Sequence, residues 1–121
     1  MANILIADDA RFMRMMIRKI LESEGHKIVG EAASGEEAIS LYAKLRPDLA
    51  TFDIVMPNPN GIESVKKVRD FDPHAKIIMI TALGQEAMVV EALKAGAADF
   101  IIKPFKPGKV IEAVDKVLLK N

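Results

Sequence analysis

The chain has 121 residues, half of them hydrophobic, and its 17 basic side chains are balanced by 17 acidic ones. That length suits one domain with a single core, and the balance argues against nucleic-acid or polyanion binding, which needs a basic patch. Cysteine is absent, which excludes disulfides and thiolate chemistry; no stretch has the length of a membrane span or the form of a signal peptide, so a cytoplasmic location is expected.

The first apolar run, residues 3–7 (NILIA), predicts a strand that ends on two adjacent acids, Asp8 and Asp9. Neighbouring carboxylates repel each other and resist burial, so a positive group is expected beside them. From 10 to 24, Phe12, Met13, Met16, Ile17, Ile20 and Leu21 recur at three- and four-residue steps against Arg11, Arg14, Arg18, Lys19 and Glu22. This is a helix with one apolar face, and Gly25 is a suitable stop.

A second strand, 27–31, ends near Glu31 in a bland "EAASG" stretch, as an outer strand would. A helix over 35–46 then leads to a strand over 48–52, which runs into Asp53. The next pairs are a helix over 61–71 with a strand over 76–80 ending on Thr81, and a helix over 84–95 with a strand over 98–102 ending on Lys103. A last helix covers 107–119. Arg46-Pro47 and Asp72-Pro73 open loops, and Gly96 terminates a helix.

Several of the strands are nearly continuous in apolar residues, which suits a sheet covered on both faces. Strands alternating with helices predict an α/β fold: a doubly wound, five-stranded parallel sheet with right-handed crossovers and five helices. Ligands of such sheets bind beyond the carboxyl ends of the strands. Asp8, Asp9, Asp53, Thr81 and Lys103 would meet there. Carboxylates are hard ligands suited to Mg²⁺, which would relieve the Asp8–Asp9 repulsion and neutralise an incoming phosphoryl group. A carboxylate is also a known nucleophile toward phosphorus. Taken singly, each residue has a plainer use: paired acids cap helices, a threonine suits a strand, and a lysine snorkels. The coincidence of four strand ends on one edge favours a site.

The segments "ILIADD", "FDIVMPNPNG", "IIMITALG" and "ALKAGAADFIIKPF" resemble the receiver domain of two-component response regulators, over essentially all of residues 1–121. "DDARFMRMMI" and "KPFKP" are most similar to its single-domain, CheY-like chemotaxis group. The strand order 2-1-3-4-5, of which CheY is a standard example, follows from this resemblance and not from the hydrophobic pattern.

The resemblance implies a signalling switch rather than an enzyme, although one that assists its own phosphorylation and dephosphorylation. Asp53 would accept a phosphoryl group from a histidine kinase of the CheA type. Asp9, with Asp8 acting largely through water, would hold Mg²⁺ together with Asp53 and the backbone carbonyl of Val55. Thr81 and Lys103 would each engage a phosphoryl oxygen, with a cis Lys103–Pro104 bond aiming the lysine. As Thr81 moves, the ring at position 100 would fill the space it leaves. Phe100 lacks the hydroxyl that many relatives carry, so an inward ring buries no polar group, and it is expected partly inward before phosphorylation. The fourth helix, fifth strand and fifth helix would form the face for a target, either the flagellar motor switch or another protein, with Val90 and Phe100 on it. A monomer is expected.

Some positions depart from the family pattern. "MPNPNG" carries two prolines, Pro57 and Pro59, around Asn58, with Asn60 before Gly61; two fixed φ angles predict a stiffer loop. Val55 and Leu83 are apolar and unable to orient a hydrolytic water, so slow self-dephosphorylation and a separate phosphatase are expected. Met15 lies off the buried stripe of the first helix and is a weaker candidate for a partner contact. His26 and His74 fall at the opposite end of the sheet, where neither serves this chemistry. A haloacid-dehalogenase-type phosphatase would need an acid where Val55 stands, and a flavodoxin-type module would need a hydroxyl- and glycine-rich loop where "ADDARF" stands. A receiver-like module that has given up phosphate would have lost an acid, the threonine or the lysine.

Overall fold

The computed structural model describes residues 1–120. Its elements run β1 (Asn3–Ala7), α1 (Arg11–Ser23), β2 (Lys27–Ala32), α2 (Gly35–Leu45), β3 (Leu49–Asp53), α3 (Gly61–Phe71), β4 (Ile77–Ala82), α4 (Glu86–Ala95), β5 (Asp99–Lys103) and α5 (Pro107–Leu118). All neighbouring strands are parallel, in the order β2-β1-β3-β4-β5, as the resemblance implies. No described helix is long and apolar enough to cross a membrane.

Side-chain alternation sorts the core into two layers. Ile4 and Ile6 of β1, Leu49 of β3 and Ile78 and Ile80 of β4 pack with Ile17 and Leu21 of α1 and Val110, Val114 and Val117 of α5. Leu5, Ala50, Phe52, Ile77 and Met79 point the other way, against Ala38 and Tyr42 of α2, Val65 and Val68 of α3, and Val89 and Ala92 of α4. Burial on both faces explains the near-continuous apolar runs.

The apolar runs place β3, β4 and β5 one residue too early. Each begins later and continues through its polar terminus, so Asp53 and Lys103 are the last residues of their strands and Thr81 is the last but one. The ladder, not hydrophobicity, decides this: Asp53 pairs with Ile80 and Thr81 with Ile102, and the Ile54 N–H still donates to the Ile80 carbonyl at 3.0 Å.

Phe12 departs from its expected place in the buried stripe, at 69% exposure. It lies in the first turn of α1, beyond the carboxyl edge of the sheet, so no strand side chain lies beneath it. Met15 is exposed, as its position predicts. Gly25 and Gly96 follow α1 and α4 with φ of +85° and +118°, the left-handed conformation that ends helices at little cost in glycine.

The "MPNPNG" loop is anchored from outside. The N–H groups of Gly35 and Glu36, in the open first turn of α2, donate to the carbonyls of Pro57 and Asn58 at 2.8 Å each. Asn58 has a φ of +50°, and the Asn58–Pro59 bond is cis. Gly35 is required here, because a Cβ on it would collide with the Pro59 carbonyl.

Candidate functional site

The site grows from the ends of β1, β3, β4 and β5. Asp8, Asp9 and Asp53 each present a carboxylate oxygen, and the three lie within 4.8 Å of one another. Asp8 and Asp53 are buried and Asp9 is exposed. The Ala10 N–H donates to Asp8 Oδ1 at 2.8 Å, which fixes the turn into α1. The positive group expected beside the acids is Lys103, whose Nζ lies 3.4 Å from Asp8 Oδ2 and 3.5 Å from Asp53 Oδ1.

One amine does not balance three carboxylates. Burial pushes the Asp53 carboxyl above its ordinary range, and the nearby Asp8 charge adds to this; Lys103 opposes it. Oxygen ligands only, two of them buried and under-neutralised, with one open side at Asp9, form a donor set that fits a hard divalent ion such as Mg²⁺.

Thr81 is buried at the same edge, but its hydroxyl donates to Gln85 Oε1 at 2.8 Å. The Val55 N–H approaches Asp53 Oδ1 at 3.5 Å, while its side chain is exposed. Leu83 is 73% exposed. The Lys103–Pro104 bond is cis, as the resemblance implies. The edge therefore gathers Asp8, Asp9, Asp53, Thr81, Val55 and Lys103.

Val90 and Phe100 lie away from the carboxylates. Phe100 keeps 37% of its surface exposed and lines a groove with Ile102, Pro104, Phe105 and Lys109. Val90, Leu93 and Ile102 are exposed too. His26 and His74 line a separate groove at the amino end of the sheet. His26 is buried there, its Nδ1 accepting the Ala2 N–H at 3.2 Å.

Sequence reasoning missed two contributors. Glu31, in the "bland" end of β2, accepts from Arg14 Nε at 2.9 Å and Arg18 Nε at 2.8 Å, while Arg14 Nη1 donates to the Asp8 carbonyl at 2.7 Å. An acid at a strand end facing two arginines spaced one helical turn apart was the available signal. Gln85 is the second, and only the loop conformation brings it back to Thr81.

The sequence model of the response regulator receiver domain matches residues 4–115. The chemotaxis protein CheY of Thermotoga maritima is 54% identical over 115 residues, which are 95% of this chain and 96% of that one. CheY of Bacillus subtilis is 50% identical over 96% of this chain and 97% of its own. Among solved structures, the CheX–CheY–BeF3–Mg complex of Borrelia burgdorferi contains a chain with a TM-score of 0.92 and 41% identity, covering 98% of this chain and 90% of that one. With a family model matching residues 4–115 and likeness to these relatives along nearly its whole length, the chain belongs to the response regulator receiver domain family.

Proposed function

We propose that residues 1–121 form one phosphorylation-dependent signalling switch, acting in the cytoplasm, in which Asp53 accepts a phosphoryl group from a histidine kinase of the CheA type. The observation that carries this reading is Asp53 itself: a buried carboxylate at a strand end, flanked by Asp8, Asp9 and a lysine. An Asp53 oxygen attacks phosphorus, forming an acyl phosphate as the bond from phosphorus to the donor's imidazole nitrogen breaks, and that nitrogen keeps the electron pair. Asp8, Asp9, Asp53 and the Val55 carbonyl would hold Mg²⁺, which supplies positive charge against the phosphoryl oxygens. Lys103 pairs with one of those oxygens as a point charge, and the Thr81 hydroxyl donates to another.

Val55 and Leu83 offer no polar atom from their side chains to steer an attacking water. The acyl phosphate is therefore long-lived, and a separate phosphatase removes it; the relative solved in complex with CheX supports a protein partner for the BeF3-bound form. The exposed apolar residues Val90, Phe100 and Ile102 form the face for a target on α4, β5 and α5. The relatives named as chemotaxis proteins support a target in chemotaxis; the flagellar motor switch is the target that the sequence resemblance implies.

The test is intact mass after incubation with Mg²⁺ and acetyl phosphate, beside Asp53→Asn and EDTA controls. One added phosphoryl group, absent from both controls, supports the reading. No adduct with acetyl phosphate or with a cognate kinase would leave a phosphate-independent interaction module.

A further inference from the structure

Gln85 Oε1 accepts two hydrogen bonds from the strand it follows: the Thr81 hydroxyl at 2.8 Å and the Ala82 N–H at 2.8 Å. Gln85 stands at the N-cap of α4, yet its side chain satisfies none of that helix's free N–H groups. It reaches back over a short turn in which Gly84 takes a φ of +89°. Thr81 is 1% exposed, so its hydroxyl depends on protein partners. The Ala82 carbonyl lies within 3.4 Å of the same hydroxyl, a longer and weaker contact than the 2.8 Å bond to the glutamine; a hydroxyl carries one hydrogen, so a bond to a phosphoryl oxygen requires it to leave Gln85.

We propose that Gln85 is a positioning residue that holds the Thr81 hydroxyl in the resting protein and so opposes filling of the phosphoryl pocket. This rests on the phosphoryl-acceptor reading and adds to it the group that Thr81 must leave. Two bonds converge on one amide oxygen, so release of Thr81 also loosens the tie between the end of β4 and the start of α4. Gln85 thereby couples occupancy of the pocket to the position of α4, which carries Val90. The cost of releasing a neutral hydrogen bond is modest, which suits a switch that a single phosphoryl group must turn.

The experiment titrates the full chain with beryllofluoride in saturating Mg²⁺, by calorimetry, for wild type, Gln85→Met, Thr81→Val and the double variant. Gln85→Met is expected to bind beryllofluoride roughly three- to tenfold more tightly. In the Thr81→Val background the same substitution is expected to change affinity by less than about twofold, since no hydroxyl remains to be held. Gln85→Glu keeps the acceptor and is expected to bind no more tightly than wild type. Amide exchange in the metal-free protein supplies a second reading. The Ala82 N–H is expected to lose protection in Gln85→Met, while the Val89 N–H, bonded to the Gln85 carbonyl, keeps it and shows α4 intact. Equal tightening in both backgrounds, tightening by Gln85→Glu, or no tightening with α4 intact would overturn the proposal. Failure of the wild type to bind beryllofluoride would instead overturn the phosphoryl-acceptor reading, and this inference with it.

Discussion

Lys103 Nζ reaches across β4 to lie 3.5 Å from Asp53 Oδ1, joining the last residue of β5 to the last residue of β3. In the metal-free protein this amine is the cation among three carboxylates, and it stands where a divalent ion and a phosphoryl group would also draw charge. Lys103→Met is therefore expected to act in two directions. Metal-free stability falls by about 1–2 kcal/mol as buried carboxylates lose their counter-charge, while Mg²⁺ binds roughly tenfold more tightly because a competing cation is gone. Phosphorylation by acetyl phosphate is expected to slow by about 100-fold. Calorimetric Mg²⁺ titration beside a mass-based phosphorylation time course checks both; unchanged Mg²⁺ affinity would contradict the competition.

Asp53 gives a pH-dependent stability of defined sign. Its folded pKa is raised, first by burial and then by Asp8, so its ionised form opposes folding. That penalty is absent below the unfolded value, about 4, and complete above the raised folded one. Metal-free Asp53→Asn is thus expected to be more stable at pH 7 by about 1 kcal/mol, a few degrees in Tm. The gain should vanish below about pH 4. Thermal melts in EDTA across that range decide it.

Glu31 has the opposite sign. Burial pushes its carboxyl upward, but hydrogen bonds from Arg18 and Arg14 outweigh this and hold it below the ordinary range. Its contribution is present above the unfolded pKa and is lost as pH falls through the folded one. Glu31→Gln should cost about 1 kcal/mol at pH 7, with the difference closing as the pH falls from the unfolded value, about 4.3, through the lowered folded one. Because Arg14 also donates to the Asp8 carbonyl, the substitution is expected to weaken Mg²⁺ binding about two- to threefold as well. Denaturant melts and Mg²⁺ titration of the same variant check the pair of effects.

Gly35→Ala is expected to cost about 2–4 kcal/mol, as an overpacked contact against backbone does. The added Cβ would run into the Pro59 carbonyl and crowd the Ser64 side chain at 2.5 Å. The damage should reach the neighbouring loop. Amide exchange at Gly35 and Glu36, whose N–H groups bond Pro57 and Asn58, would accelerate along with the loss of stability. Intact protection there would show that the chain yields elsewhere.

The fold and most of the carboxylate edge were legible in the sequence because a parallel sheet reports itself locally. Each apolar run states a strand, and its next polar residue states what the strand delivers to the shared edge; Asp8, Asp53, Thr81 and Lys103 needed nothing more. What escaped depends on contacts between distant segments. Phe12 keeps the helical period yet lies past the sheet that would have covered it. Glu31 gains meaning only from arginines on a helix packed beside it. Gln85 needs a particular loop conformation to meet Thr81, and the carbonyls of Pro57 and Asn58 find their donors on α2, earlier in the chain. The cis Asn58–Pro59 bond likewise has no signal beyond the proline itself.

The attachment of the Pro57–Asn58 carbonyls to α2 makes the two walls of the carboxylate pocket mechanically unequal. On one side, backbone groups bond backbone groups, and side-chain motion cannot release them. On the other, the hydroxyl of Thr81 and the N–H of Ala82 meet the N-cap of α4 at one glutamine amide oxygen, a side-chain tie that can let go. If Asp53 is phosphorylated and Gln85 acts as proposed, the load meets backbone bonds on one side and a releasable side-chain bond on the other, and displacement is expected toward α4. On that proposal, direction as well as amplitude is set by which bonds are backbone and which are side chain.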